Sequence, residues 1–278
     1  PWLSRTYPIF ERWNGEVLHS LPNMKKYLRH APSYVFEPSN KAAHDGKGKG
    51  TKIKSSVTGN NKNCFMHKFK LDANGKGIVL SIGDKHYDEA ARLIRLLRAL
   101  NNRYPIQIVY NDGLSEITKT RLIKVARETY NTLPTSFDAV RHMFPNDYLD
   151  AKEGGLPKQE LWFVNVNSAI NDQYKGKFQG FSNKFLATLF NSFEEFLLVD
   201  ADTVMMQHPD FFFKLENFVD NGAFFYKDRT APHFRPAADS VFFKKITPSL
   251  IDQTMFDIPV ATRKSLDIDF FHGMFYYM

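Results

Sequence analysis

Cysteine is nearly absent. Cys64 is the only one in 278 residues, so no intrachain disulfide forms and a disulfide-stapled small scaffold is excluded. The compartment stays open, because large domains of oxidising compartments fold without bridges. No run of roughly 18 apolar residues occurs, so no segment reads as a membrane-spanning helix. Internal repeats at the periods of solenoids and propellers are missing too. So is any Asn-x-Ser/Thr acceptor for N-glycosylation. Aromatics, in contrast, are plentiful: 26 Phe residues exclude a chain that is disordered throughout. The chain opens at Pro1 and stops at Met278, inside the apolar run Phe270-Phe271-His272-Gly273-Met274-Phe275-Tyr276-Tyr277-Met278. It is therefore expected to be a fragment, with an upstream signal or anchor and a downstream part of the fold outside it.

The net charge of +7 is local rather than general. Residues 41–76 hold nine Lys against Asp45 and Asp72, which accounts for the whole excess. A basic arm for nucleic acid would add stacking aromatics or Arg-rich helices, and these are lacking around it. The run Gly46-Lys47-Gly48-Lys49-Gly50 instead reads as a solvated linker. The expected organisation is an N-terminal lead-in over 1–70 with this linker at about 41–76, then a main domain over 71–278. No nucleic-acid partner is expected.

From Gly77 onward the pattern becomes regular. Gly77–Ile82, Ile106–Tyr110, Leu161–Val164 and Phe196–Val199 read as buried strands. Between them lie helical stretches: one with Ala90, Leu93, Ile94, Leu97 and Leu100, and one with Leu114, Ile117, Leu122 and Val125 inward. A third begins at a Ser182 cap and carries Phe185, Leu186, Leu189 and Phe190. Strand–helix alternation with continuous apolar strands predicts an α/β fold with a mainly parallel sheet covered on both faces. Gly222–Tyr226 and the apolar run near 270 read as further strands.

In such sheets ligands bind beyond the carboxyl ends of the strands. That directs attention to Gly83-Asp84, Asn111-Asp112 and Asp200-Ala201-Asp202. The last of these ends a run of large apolar residues, so two carboxylates emerge where a buried strand stops. A buried unpaired carboxylate is costly, and a cation or hydrogen-bond donors must compensate it. A hard divalent ion suits oxygen ligands, with positions left for phosphate oxygens. A plain turn or helix cap is the bland alternative. The second pair, Asp267-Ile268-Asp269, has weak strand context and reads as a loop.

Two enzyme classes use such a pair. In one it grips Mn²⁺ or Mg²⁺, and through the ion the diphosphate of a nucleotide-sugar. In the other, a phosphotransferase of the haloacid-dehalogenase type, Asp200 is the nucleophile and Asp202 the acid/base. That motif belongs on the first strand of its domain, whereas three strand–helix units precede it here.

The succession Gly77–His86, Leu97-Arg98-Ala99-Leu100, Pro105–Tyr110, Lys184-Phe185-Leu186-Ala187 and Asn191–Asp202 resembles the fungal Golgi α-1,3-mannosyltransferases, glycosyltransferase family 71. The resemblance runs from about Gly77 to Arg229. It implies a GT-A-like (Rossmann-like) fold incomplete at its C-terminus, GDP-mannose as donor, and Mn²⁺ or Mg²⁺ as cofactor. It also implies transfer of mannose to a mannose on a glycoprotein glycan. The chain would be the Golgi-lumenal part of a type II membrane protein, with residues 1–70 as stem. A carbohydrate-binding domain that retains the fold without turnover is the non-enzymatic alternative.

On this resemblance Asp202 binds the ion, and Asp200 binds it or reaches the ribose. Gly83 lets the chain pass close to the nucleotide, with Asp84 beside it. Asp112 accepts hydrogen bonds from guanine or ribose, or is a simple turn residue. Lys184, near a helix start where a cation opposes the dipole, is expected at the diphosphate. Asp228-Arg229 is a candidate contact to donor sugar or acceptor. His272 is read as packed or facing the acceptor rather than ligating. Trp162, Phe181 and Tyr226 are candidates to stack on sugar rings. An α-donor and an α-product imply retention of configuration. No residue stands out as a covalent nucleophile, so an oxocarbenium-like transition state is expected.

Overall fold

The structure, a computed structural model, describes residues 2–28, 64–150, 154–178, 180 and 182–225. Two compact units divide the chain, Pro1–Asp220 and Asn221–Met278. The fold below is that of the first.

Two short strands come from the segment before the basic stretch, β1 (Ile9–Arg12) and β2 (Val17–Leu18). The end of the basic stretch folds as helix α1 (Phe65–Asp72) and leads into strand β3 (Lys76–Ser81). Helix α2 (Tyr87–Ala99), strand β4 (Ile106–Tyr110), helix α3 (Glu116–Arg127) and strand β5 (Leu161–Asn165) follow. Helix α4 (Ser182–Phe190), strand β6 (Glu195–Leu198) and helices α5 (Pro209–Phe213) and α6 (Glu216–Asn221) complete the order.

The six strands form one mixed sheet in the order β2-β1-β5-β4-β3-β6. β3 pairs in parallel with both β4 and β6, and β4 with β5. β1 joins β5 antiparallel, with Phe10 opposite Val164, and carries β2 at the sheet edge. The α/β class and the parallel centre are as the sequence pattern predicts. The antiparallel edge is an addition, and it makes the sheet mixed.

Alternation along each strand divides the core in two. Ile78, Leu80, Ile106, Ile108 and Phe163 face α2 and α3. Val79, Val109, Trp162 and Val164 face the side holding Phe69 of α1 and Leu186, Ala187 and Phe190 of α4. One buried polar side chain is built into the second face. Gln107 accepts from Ser192 N–H at 3.0 Å and donates to Ser192 Oγ at 2.5 Å, tying β4 to the turn that feeds β6.

Three expectations are corrected. Ile117 does not point inward: it is 73% exposed, while Thr118, Lys119, Leu122 and Val125 form the buried face of α3. Buried Lys119 is paired to Glu11 at 2.7 Å, so the helix turns its lysine toward β1 and its isoleucine to water. Trp162 is fully buried, edge-on to Tyr27, and donates Nε1–H to Glu160 at 3.0 Å, so no sugar reaches it. Residues 222–225 form no strand. Gly222, at φ +73°, takes the left-handed position that ends a helix such as α6. Phe181, Tyr226, Asp228, Arg229, Asp267, Asp269 and His272 lie outside the described residues. No helix among the described residues is long and apolar enough to cross a membrane.

Candidate active site

Because β3, β4, β5 and β6 run parallel, their carboxyl ends share one edge of the sheet. Apart from buried Trp162 in β5, the described candidate residues sit on the segments leaving that edge, except Lys184, which comes from α4.

After β3, Gly83 passes so close to the β4 turn that an added Cβ would stand 3.0 Å from Gly113 O. Asp84 N–H donates to that carbonyl at 2.7 Å. The Asp84 carboxylate accepts from Ser115 N–H at 2.8 Å and from Ser115 Oγ at 3.1 Å. The Ser115 amide, ahead of the Thr118 hydroxyl, holds the Asp84 carboxyl below its usual range. Ser115 in turn caps α3 through Thr118 N–H. Asp84 therefore clamps the β3 loop to the start of α3.

After β4, Asp112 Oδ1 accepts from Gly113 N–H at 2.7 Å, which is a turn contact. Its neighbour Asn111 is buried. The Asn111 amide nitrogen reaches Lys175 O and Phe178 O, each at 3.4 Å, and its Oδ1 has no partner among the described residues. The sequence points to Asn111-Asp112 as a strand end worth searching, but assigns a role only to the acid.

After β6 come the two carboxylates. Lys184 Nζ lies 2.7 Å from Asp200 Oδ1 and 2.8 Å from Oδ2. Asp202 is exposed and lines a cavity of about 280 Å³ together with Glu89, Arg92, Leu93, Leu96, Ala201, Thr203 and Val204. The structure thus brings Lys184 to Asp200, and Gly83 and Asp84 to the Asp112-Gly113 turn. Glu89 was not singled out in the sequence. Its signal is the helical spacing that puts it on one face with Leu93 and Leu96.

No group of three or more His, Cys, Asp or Glu side chains that would hold a metal exists among the described residues. The two acids still fit a hard divalent ion by donor chemistry. Both offer carboxylate oxygens at a strand end open to solvent, leaving positions for water and phosphate.

Fold and site together define an α/β protein whose charged groups converge on the carboxyl edge of a parallel sheet. The family is settled by comparison. A model described as "Mannosyltransferase putative" matches residues 75–278, and the chain belongs to that family of fungal α-1,3-mannosyltransferases. It is 50% identical to the Candida albicans protein named "Putative alpha-1,3-mannosyltransferase MNN12", over all of this chain and 32% of that protein. It is 43% identical to the C. albicans "Putative alpha-1,3-mannosyltransferase MNN1", over all of this chain and 33% of that protein. To the Saccharomyces cerevisiae "Alpha-1,3-mannosyltransferase MNT2" it is 36% identical over 78% of this chain and 32% of that protein. The chain spans about a third of the length of the curated relatives it matches.

Proposed function

We propose that this chain binds the donor in an α-1,3-mannosyltransferase, moving mannose from GDP-mannose to a mannose on a protein-linked glycan in the Golgi lumen. The observation that carries this is the Lys184–Asp200 contact beside Asp202 at the end of β6, in a chain of this family. A single-pass type II anchor outside the chain would hold the protein at its membrane. Family membership favours this reading over the phosphotransferase and the silent-domain alternatives.

Asp202 and Asp200 would hold Mn²⁺ or Mg²⁺ through carboxylate oxygens, with Lys184 holding Asp200 in orientation. The ion, when bound, offsets the charge that gathers on the departing diphosphate. Lys184 donates to the diphosphate oxygens as the C1–O bond breaks. The acceptor hydroxyl bonds to C1 on the face the diphosphate leaves, so configuration is retained. Its proton passes to the departing phosphate oxygen. Gly83 keeps the β3 loop low where the nucleotide crosses the sheet edge. Asp84 fixes that loop, and Asp112 offers its remaining oxygen to ribose or guanine. Asp228 is the further candidate contact to the donor sugar.

Calorimetric titration of GDP and GDP-mannose, with and without Mn²⁺, tests this against Asp202→Ala. The expected result is metal-dependent binding that the substitution removes. Binding indifferent to both metal and substitution would take the acidic pair out of the site.

A further inference from the structure

We propose that the cavity between α2 and the loop after β6 is a subsite for one hexose ring. In the reading above, that ring is the mannose that accepts transfer.

Three observations converge on it. The first is an unmet hydrogen-bonding group. Among the described residues Glu89 Oε2 is buried without a hydrogen-bond partner, which is rare enough in folded proteins to need a cause. An acid in the first turn of a helix is favoured by the dipole, but Asp88 supplies that from an exposed position. The dipole does not explain an oxygen withdrawn from water. Arg92, one turn on, is exposed, lines the same cavity and makes no ion pair among the described residues.

The second observation is the lining. Glu89, Arg92, Asp202 and Thr203 supply acceptors and donors around a wall of Leu93, Leu96, Ala201 and Val204. A sugar ring has that dual character: hydroxyls that donate to carboxylates and accept from guanidinium, and C–H faces that rest on aliphatic side chains. A phosphate would meet two carboxylates here and be repelled. The third is size. At about 280 Å³ the cavity lies at the small end for ligand sites, which suits a single ring.

Asp202 joins this cavity to the donor site, since it lines the first and belongs to the acidic pair of the second. A hexose held by Glu89 would therefore lie directly beside the donor. That the ring is the acceptor rests on the transferase reading; that the cavity holds a hexose does not.

The test titrates methyl α-mannoside and, separately, Mn²⁺ with GDP into the wild-type chain, Glu89→Ala and Val204→Trp, with melting curves for each. Val204 is exposed, so its replacement fills the cavity without touching the core. The expected result is mannoside binding weakened about tenfold in Glu89→Ala, the loss of one charge-assisted hydrogen bond. In Val204→Trp mannoside binding is lost, and GDP binding stays within twofold in both variants. Equal mannoside affinity in all three proteins overturns the subsite, as does a wild type that binds no mannoside. Loss of Mn²⁺ binding in Glu89→Ala also overturns it, because the cavity would then be a cation site. If no protein binds GDP while mannoside binding still depends on Glu89, the transferase reading fails and the subsite stands.

Discussion

Lys184 Nζ bridges both carboxylate oxygens of Asp200, at 2.7 and 2.8 Å, across the gap between the first turn of α4 and the end of β6. A lysine at a helix start opposes the dipole, so the carboxylate opposite it offsets that cost. The Asp200 side chain is 45% exposed, and ion pairs with that much solvent are worth about 0–1 kcal/mol. The contact therefore contributes little to stability. Lys184→Met should lower the melting temperature by no more than about 4 °C. It should weaken GDP-mannose binding by about tenfold or more, the effect of losing one charge-assisted contact to phosphate. Calorimetry and thermal melting on the same sample check both. A large melting shift with unchanged binding would make Lys184 a purely structural residue.

The elements legible in the sequence were those with a strong apolar pattern. β3, β4 and β5 stand out as buried apolar runs and α2 as a clean apolar stripe, because packing selects their residues. β6 reads the same way from Phe196-Leu197-Leu198, although it is the half-buried edge strand. β1 was not legible. Its sequence Ile9-Phe10-Glu11-Arg12 buries only Phe10 fully, and its charged residues serve the edge of the sheet. Arg12 pairs with Glu160, and Glu11 with Lys119, partners 148 and 108 residues away. No local pattern carries such information. The same pairing explains why Ile117, expected inward, faces water while Lys119 is buried. In the site, the acidic pair was legible from its position after a strand. Glu89 was hidden among ordinary helix-start acids until the cavity wall opposite it came into view.

Lys119 supplies a second prediction. Burial would lower the pKa of its ammonium, but the hydrogen bonds to Glu11, Glu116 and Tyr110 outweigh burial and raise it. A raised lysine contributes stability fully present below its unfolded value of about 10.5 and lost as pH climbs past it. Lys119→Met keeps most of the stem volume and strands Glu11, whose side chain is 28% exposed and so partly hydrated. The expected cost is about 1–3 kcal/mol, below the figure for a fully buried pair. Glu116, 79% exposed, should matter by only about 0.5 kcal/mol when changed to Gln. Urea unfolding of Lys119→Met, Glu116→Gln and the double variant Lys119→Met with Glu11→Leu separates these. The double variant should recover most of the loss, since an apolar pair needs no compensation.

Gly77 supplies a third. A Cβ at this position in β3 would fall on the Phe193 ring, which is itself buried. Gly77→Ala must therefore displace Phe193 or bend β3. Overpacking of this kind costs about 1–3 kcal/mol. Gly77→Ala combined with Phe193→Leu should restore part of it, which denaturant midpoints will read directly. Full stability in the single variant would mean that Phe193 has room to turn aside.

The pH dependence of stability should trace in part to His208. Its Nδ1 caps α5 by accepting Asp210 N–H at 3.1 Å, while Nε2 is buried. Burial pushes the imidazole pKa below its usual 6.5, and the Asn101 backbone carbonyl, followed by the Asp210 carboxylate, only partly opposes this. Between the folded pKa and about 6.5 the unfolded chain binds more protons than the folded one, so stability must fall as pH drops through that window. Asp210 acts lower down. Its carboxyl is held under the usual 3.8: burial would raise it, but Lys214 and the Tyr104 hydroxyl at 2.6 Å outweigh that. Its contribution is lost only in stronger acid, leaving the histidine window clear. His208→Asn keeps a side-chain acceptor at the cap and removes the titration. The variant should match the wild type above about pH 7.5 and lose less stability between about pH 6.5 and 5. An unchanged slope in that interval would assign the titration to another group and leave His208 as a helix cap alone.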